Sequence, residues 1–487
     1  MKLTARKMIL ILSILAIVVS SAAIIATYLR KDVRYKYRLT RDGVVITEYR
    51  GTSRHIDIPS AVFGRPVVGI GRSAFSATKA VYFLDALVGE KSTGSQLIES
   101  IVIPEGVTSI GEWAFAECVN LESITIPSTV TTIGFSAFNS CESLESIIIP
   151  EGVTIIDGLF IKCSSLTSVT IPNSVTSITN SSFVGCRLLE SIVIPDSVIS
   201  IGAMAFQNCT RLSSVTMSGN IEVIGAGAFD NCRRLTEITI PDSIVSIGSG
   251  AFRGTPLQES LYESSGDFVI ISNILYQYRG SNNNVIIPFG VKTIGDSAFE
   301  KCSEITSITI PDSVTFIGSD AFWGCSGLTE VVIPDSVTGI GSGIFINCTN
   351  LVNVTLPASI TEIEPNTFRR CESLTNIVIH DSVTLIGSHA FAGCSGLTDI
   401  VIPNSVTSIG SSAFRDCINL QSIVISNQVT VIDYQTFTGC KNLIYVTIPD
   451  SVIEIEENVF NDTPWFYTDE YQELLKRVDT FFFRRTR

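Results

Sequence analysis

Residues 121–143 read LESITIPSTVTTIGFSAFNSCES, and the same pattern begins again at Leu144. This unit of 23 residues recurs along nearly the whole chain, although one copy near residues 157–160 is a residue short. Its phase is easiest to follow in the repeated prolines, which are Pro104, Pro127, Pro150, Pro172, Pro195, Pro241, Pro288, Pro311, Pro334, Pro357, Pro403 and Pro449. A period in the twenties with one short apolar strand in each copy predicts a solenoid of stacked repeats.

A single copy shows why stacking is required. Ile147 and Ile149 share one face of an extended segment, and Pro150, which has no N–H, ends that segment. One copy cannot bury its apolar face, but copies stacked roughly 4.8 Å apart bury it in one long parallel sheet. Sixteen Phe residues hold one phase, from Phe75 to Phe460, and predict a stacked aromatic core.

Composition limits the functions that such a fold can carry. The formal net charge is −14 and only 16% of residues are charged, so the positive surface that nucleic-acid binding needs is absent. All 13 cysteines sit three residues after the repeat Phe, and their odd number and regular spacing argue against a disulfide framework. They are predicted to be buried free thiols, and no cluster of ligands indicates a metal or another cofactor.

Two segments interrupt the repeat in similar ways and divide it into two arrays. Residues 42–59 match residues 267–288, since both have alternating strands followed by Tyr-Arg-Gly and an Ile-Pro end. Both segments predict a β-hairpin that covers the open start of an array. Each array also ends alike, where a Thr-Pro pair replaces the cysteine turn at Thr255 and Thr463. The two arrays either stack continuously or meet at a bend.

A membrane segment precedes the repeats. Residues 8–29 carry no charge, and at 1.5 Å per residue they make a helix of roughly 33 Å, enough to span a bilayer core. A cleaved signal peptide is the alternative, because Ser20 and Ala22 are small residues of the kind found at cleavage sites. An uncleaved anchor is preferred because the stretch stays apolar to Leu29. The basic residues in the segment 30–41 conflict with export of the repeats.

These observations predict the fold class and its division. The fold is a leucine-rich-repeat solenoid whose 23-residue units stack into a long parallel β-sheet, with β-hairpin caps and one N-terminal transmembrane helix. The predicted segments are a basic N-terminus at 1–7, a transmembrane signal anchor at 8–29, a juxtamembrane linker at 30–41, a capped first array at 42–255, an internal cap at 256–284, a second array at 285–463, and a C-terminal cap and tail at 464–487.

The unit resembles the BspA-like, Treponema-type leucine-rich repeat family. The signature Leu-x-x-Ile-x-Ile-Pro-x-x-Val-x-x-Ile-Gly-x-x-Ala-Phe-x-x-Cys is present at residues 397–417, and the resemblance covers residues 42–463. Proteins of this family are typically surface-exposed or secreted, and several are implicated in adhesion. The resemblance implies an array outside the cytoplasm with an interaction role, and it outweighs the charge count around the membrane segment. It implies no particular binding residues, because the signature describes the core.

No catalytic motif is visible in the sequence. The three histidines are His55 in the first cap, His380 at a proline position and His389 in a repeat turn, and none accompanies a Ser or Cys in a nucleophile motif. Glycines recur at turn positions of the unit rather than in a phosphate-binding loop. The chain is therefore predicted not to be an enzyme and to use no cofactor.

Binding must then use the columns that the core leaves free. The candidate binding face consists of one strand position in each unit of the second array, namely Thr309, Val332, Thr355, Val378, Val401, Val424 and Thr447. This face is flat and poor in aromatic and Arg anchors, so binding there is predicted to rely on many weak, repeated contacts. The alternative is that β-branched residues simply suit an exposed sheet.

A second column follows the prolines and predicts an acidic edge. Its candidate residues in the second array are Asp312, Asp335, Asp381 and Asp450. Strands one repeat apart bring such carboxylates close, and the functional interpretation of this edge is capture of a divalent cation or docking of a basic partner. The competing explanation is turn chemistry, because Asp side chains accept hydrogen bonds from nearby backbone N–H groups.

The predicted function is that of a non-enzymatic, adhesin-like cell-surface protein. Its predicted partners are extracellular or host proteins, matrix or glycans, and not nucleic acid; the alternative is a structural spacer at the cell envelope without a specific ligand. The predicted location is the cell membrane, where residues 8–29 form a single-pass anchor and the repeats lie outside. Secretion after signal cleavage is the alternative location.

Overall fold

The structure, a computed structural model, describes residues 34–76 and 95–480. Contacts divide the chain into two compact units: unit 1 runs to Ile244 and includes residues 250–260, and unit 2 comprises residues 245–249 and the chain from Leu261 onward. Each unit is a parallel β-solenoid of stacked turns, which confirms the predicted architecture. The predicted membrane helix at 8–29 lies outside the described residues, and no helix within them is long and apolar enough to cross a membrane.

Each turn contributes a strand of two or three residues to a first ladder. In most of these strands the middle residue is buried and its neighbours are exposed, as in Ser146–Ile148. Parallel pairing joins equivalent residues of successive turns, for example Ser146 with Ser168. The strands are His55–Asp57, Ser100–Val102, Ser123–Thr125, Ser146–Ile148, Ser168–Thr170, Ser191–Val193 and Ser214–Thr216 in unit 1, and Asn284–Ile286, Ser307–Thr309, Glu330–Val332, Asn353–Thr355, Asn376–Ile377, Asp399–Val401, Ser422–Val424 and Tyr445–Thr447 in unit 2.

A second ladder of two-residue strands was not predicted, because two residues are too few for an alternating pattern to show in the sequence. It also pairs in parallel, with Ser177 opposite Ser200 and Thr293 opposite Phe316. Its strands are Ser109–Ile110, Thr132–Ile133, Ile155–Ile156, Ser177–Ile178, Ser200–Ile201, Val223–Ile224, Ser246–Ile247, Thr293–Ile294, Phe316–Ile317, Gly339–Ile340, Glu362–Ile363, Leu385–Ile386, Ser408–Ile409, Val431–Ile432, Glu454–Ile455 and Asp479–Thr480.

The third side of each turn is a chain of tight turns rather than a helix. The residue two before the core Phe and the residue before the Cys have positive φ, as at Ser136 (53°) and Ser140 (58°). This backbone lets alternate N–H groups point along the stack, so that Ser140 N–H donates to Ile161 O of the next turn at 2.7 Å. All three sides of a turn are therefore hydrogen-bonded to the next turn.

The repeated Phe side chains form a continuous stack in each unit, as predicted. The stacks run from Phe75 to Phe252 and from Phe299 to Phe460, with consecutive ring centroids 5.1–5.9 Å apart and ring planes within 28° of each other. These rings are fully buried. Offset and parallel aromatic pairs at this spacing stabilise the core beyond the burial of their area.

An antiparallel hairpin precedes each stack, and a tyrosine ring of that hairpin packs on the first Phe of the stack. The internal hairpin pairs Phe268–Ile271 with Ile274–Tyr278, and the first pairs Tyr35–Leu39 with Val44–Tyr49. Tyr278 lies 5.2 Å from Phe299, and Tyr49 lies 5.3 Å from Phe75. The sequence-based boundary at residue 42 was wrong for the first hairpin, because it left strand Tyr35–Leu39 in the juxtamembrane linker. A second short hairpin pairs Ala61–Val62 with Arg65–Ile70.

Both arrays end through the same chemistry at a threonine. Thr255 and Thr463 stand where other units have Cys, and each Oγ1 donates to the carbonyl of the preceding core Phe, at 2.6 and 2.7 Å. Each Oγ1 then accepts from an N–H three residues later, which starts a helical turn with Pro in its first position. In residues 34–76 and 95–480, the helical segments are the 3-10 turns Ser95–Leu97 and Pro464–Tyr467 and the α-helices Pro256–Ser264 and Asp469–Arg477.

The cysteines line the core, and twelve of the thirteen are buried as predicted. Each buried thiol donates to the carbonyl oxygen of the core Phe in the preceding turn, as Cys141 does to Phe115 at 3.2 Å. Burial raises the pKa of the Cys118, Cys163 and Cys371 thiols. Cys302 differs because the hairpin, and not a regular turn, precedes it; it is partly exposed, and burial together with Glu300 raises its pKa to about 11.

We expect Gly225→Ala to destabilise unit 1, whereas Gly219→Ala should be nearly neutral. A Cβ at Gly225 would lie 2.4 Å from Ala203 N of the previous turn, but a Cβ at Gly219 meets nothing within 4 Å. Forcing two hydrogen-bonded turns apart should cost about 1–3 kcal/mol. Chemical denaturation of both variants measures the difference, and equal free energies of unfolding would contradict the close approach of these backbones.

We expect Cys302 to be the first thiol that reacts in the native protein. Because its pKa is about 11, the thiolate fraction and the labelling rate should rise about tenfold per pH unit between pH 7 and 10. Maleimide labelling followed by peptide mass spectrometry should find one site in the native state and 13 after denaturation. Cys302→Ser should remove the native signal, and rapid labelling of Cys325 or Cys348 would contradict the buried thiol ladder.

Candidate interaction surfaces

The predicted binding face consists of exposed side chains in the first ladder of unit 2. All seven candidate residues are exposed: Thr309, Val332, Thr355, Val378, Val401, Val424 and Thr447. They are exposed because their strand neighbours, such as Val331 and Val354, take the inward position. Val401 is 79% exposed and Val378 is 68% exposed, so strongly apolar β-branched side chains face solvent here.

Strand pairing brings most, but not all, of these residues together. The register places Val332 beside Thr355, and Val424 between Val401 and Thr447. Within the described residues, no pairing joins strand Asn376–Ile377 to the next strand of this ladder, Asp399–Val401. The face therefore consists of two hydrogen-bonded stretches rather than one.

The equivalent column in unit 1 has a different chemistry. There the exposed apolar residues Val102, Ile148 and Val193 alternate with threonines in successive turns. In unit 2, Val378, Val401 and Val424 occupy three successive turns without a hydroxyl side chain between them. Unit 2 thus presents the longer apolar run in this column.

The predicted acidic edge is exposed but has the features of a structural turn. Asp312, Asp335, Asp381 and Asp450 all face solvent. The Asp335 carboxylate accepts from Ala358 N–H of the next turn at 3.0 Å, and the neighbouring Ser336 Oγ donates to Val314 O of the previous turn at 2.8 Å. Across residues 34–76 and 95–480, no group of three or more His, Cys, Asp and Glu side chains is placed to hold a metal.

A basic cluster lies on the turn side of unit 2. His389 is partly buried, and burial together with Arg369 and Arg415 lowers its pKa, so the imidazole is mainly neutral at pH 7. Arg415 Nη1 donates to Gln435 Oε1 at 2.8 Å, and its Nε lies 3.4 Å from Asp416. Part of the positive charge is thus already compensated within the turn.

One polar constellation was missed by sequence reasoning, because 45 residues separate its members. His55 Nδ1 lies 2.9 Å from Ser100 Oγ, and His55 Nε2 lies 3.8 Å from Glu99. The imidazole is 73% exposed, and Arg54 already pairs with Glu99. A serine nucleophile needs a base that is held in place and sheltered from water, so this open arrangement is better explained as a surface hydrogen-bond network. The imidazole Nε2 of His380, by contrast, lies 3.1 Å from the carbonyl oxygen of Leu356 in the preceding turn.

Comparison with known proteins finds leucine-rich repeat proteins. A family model described as BspA type Leucine rich repeat region (6 copies) matches residues 93–188, 154–269, 269–394 and 361–487. Similar solved structures include a leucine-rich repeat protein from Bacteroides ovatus, with 26% identity, 92% of this chain and 97% of that chain covered and a TM-score of 0.36. The T. pallidum leucine-rich repeat protein has 31% identity over 43% of this chain and 90% of its own, with a TM-score of 0.35.

A leucine rich cell surface protein from Faecalibacterium prausnitzii is 26% identical, covers 85% of this chain and 93% of its own, and has a TM-score of 0.30. None of the curated proteins compared with the sequence matches it.

Proposed function

This chain belongs to the BspA-type leucine-rich repeat family, and we propose that it is a non-enzymatic cell-surface protein that binds extracellular protein or glycan ligands through its exposed sheet face. The observation that carries the proposal is the run of Val378, Val401 and Val424, which face solvent in successive turns. Exposed apolar side chains at the same position of successive turns form a surface that gains stability when a ligand covers it.

The geometry of the face suits a repetitive ligand. Equivalent side chains recur once per turn at the spacing of paired strands, about 4.8 Å. Each contact is weak because the column contains neither Trp nor Arg. Several weak contacts that engage together give a high apparent affinity, so binding strength should grow with the number of turns used.

The proposed location follows from the family and from the sequence before the repeats. Members of this family are typically surface-exposed, and the uncharged segment 8–29 has the length of a bilayer-spanning helix. We place the repeats outside the membrane with this segment as the anchor. Protease treatment of intact cells tests the orientation, since an outward array is digested and an inward one is protected.

Catalysis is not part of the proposal. The histidine with both a hydroxyl and a carboxylate neighbour, His55, lies on an open sheet surface and not in a cleft. A non-binding spacer at the cell envelope is the alternative role, favoured by the scarcity of aromatic and Arg anchors on the face.

We expect the variant Thr355→Lys/Val378→Lys/Val401→Lys to lose ligand binding without losing stability. The three side chains are exposed, so their replacement should change the melting temperature little, while three ammonium groups prevent close apolar contact. The measurement is saturable binding of the ectodomain to arrays of matrix proteins and glycans. The matched control Thr361→Lys/Thr384→Lys/Thr407→Lys adds the same charge to the same turns away from this face and should bind normally.

Two outcomes would overturn this assignment. If both triple variants lose binding equally, the added charge and not the face is responsible. If the wild-type ectodomain shows no saturable binding on any array, the spacer role replaces the binding role.

A further inference from the structure

The last turn of unit 2 leaves core positions partly uncovered. Val446 and Ile448 are half-buried, whereas their equivalents one turn earlier, Ile423 and Ile425, are each only 2% exposed. The difference arises because, in the part of the chain that the structure describes, no further strand follows Tyr445–Thr447 in this ladder. The stack therefore ends here in an apolar edge.

The same strand has backbone groups that face away from the stack. Tyr445 N–H donates to Gln421 O at 3.1 Å, and Thr447 O accepts from Ile425 N–H at 3.0 Å, so both residues bond to the preceding turn. Alternate residues of a parallel strand use opposite edges, and the N–H and C=O of Val446 consequently point outward. Such an edge is a template for one more strand.

A cavity of about 470 Å³ lies beside this edge. Helix Asp469–Arg477 and the 3-10 segment Pro464–Tyr467 both contribute residues to its walls. Its walls combine apolar and acidic side chains, which are Val446, Ile448, Trp465, Leu474, Asp469, Glu470 and Glu473. Among the residues that the structure describes, the buried Trp465 Nε1–H has no hydrogen-bond partner, which is unfavourable for a buried donor.

The charge of this cavity is acidic and largely uncompensated. Glu473 pairs with Lys476 at 2.5 Å, but both side chains are about 70% exposed. Within residues 34–76 and 95–480, no ion pair joins Asp469 or Glu470 to a basic side chain. Both of these carboxylates lie in the first turn of their helix, where negative charge stabilises the helix dipole. That role explains their place in the helix, but it leaves their negative charge available to a cationic ligand beside the open strand.

We propose that this end of unit 2 binds an extended, basic segment of a partner protein. The segment adds a parallel or antiparallel strand at Tyr445–Thr447, with backbone hydrogen bonds to Val446. Alternate side chains of an added strand point to one face, so apolar ones cover Val446 and Ile448. Lys or Arg side chains then reach the carboxylates of Asp469, Glu470 and Glu473. This site lies at the last strand of the sheet face assigned above, but it uses the open backbone edge of that strand and the acidic cavity instead of the outward side chains.

Peptide binding to the full-length protein in detergent tests the proposal. The probe is a fluorescently labelled peptide RVRVRVR, with EVEVEVE as its reversed-charge counterpart, and the readout is fluorescence anisotropy. We expect saturable binding of the basic peptide alone, weakened at least tenfold in Asp469→Asn/Glu470→Gln/Glu473→Gln. The control Asp312→Asn/Asp335→Asn/Asp381→Asn loses the same three charges elsewhere and should bind within twofold of wild type. Equal weakening in both variants would show that the peptide responds only to the net charge of the protein, and it would overturn the proposed site.

A backbone variant separates strand addition from simple charge attraction. Val446→Pro removes the outward N–H, and Pro is tolerated on the open edge of a strand, so the melting temperature should change little. Peptide binding should fall at least tenfold; unchanged binding would overturn strand addition.

Residues 481–487, FFFRRTR, have the same basic and apolar character as the probe peptide. If the peptide binds only after these residues are deleted, the occupant is this chain's own segment and the partner proposal fails.

Discussion

Residue-by-residue pairing of successive turns is the constraint on which the rest of this structure depends. Because Ser146 pairs with Ser168 and Ser191 with Ser214, every side chain stacks on its own equivalent one turn away. A core position must then accept a copy of itself at about 4.8 Å, the spacing of paired strands. Flat Phe rings do so by stacking. Small thiols do so by donating along the stack to a Phe carbonyl, as Cys141 does.

The same constraint separates the information in the sequence into two kinds. Core positions repeat because each core residue packs against the equivalent residue of the next turn. These positions therefore specify the fold and say nothing about a ligand. The outward column is free of this requirement, and there the two units differ: Val378, Val401 and Val424 follow one another in unit 2, whereas apolar residues alternate with threonines in unit 1. Differences in recognition between the units must therefore come from such columns.

Features with a recurring local pattern could be predicted from the sequence. The period, the Phe stack, the buried cysteines, the hairpins ending in Tyr49 and Tyr278 and the Thr-Pro ends all have local signatures, and the family match confirms the resemblance read from residues 397–417. Features without a local signature were missed. The two-residue strands show no alternation, strand Tyr35–Leu39 lies in a segment that reads as a charged linker, and His55 meets Ser100 only through folding. The exposed columns were predicted, but exposure alone does not identify a ligand.

Stacking also explains why the ends of a unit are chemically distinct from its middle. At the start, a tyrosine ring replaces the missing Phe and its hydroxyl accepts a backbone N–H, from Ser53 in one hairpin and from Asn282 in the other. At the end, a threonine occupies the position of the cysteine, but its hydroxyl donates to the core Phe carbonyl of its own turn instead of the preceding turn, and it begins a helix. These devices close the aromatic core, because Trp465 packs 4.6 Å from Phe460. They do not close the strand edge, since Val446 and Ile448 stay half-buried. A ladder in which each strand bonds to its neighbours leaves the outer edge of its last strand open, and in unit 2 that strand is Tyr445–Thr447.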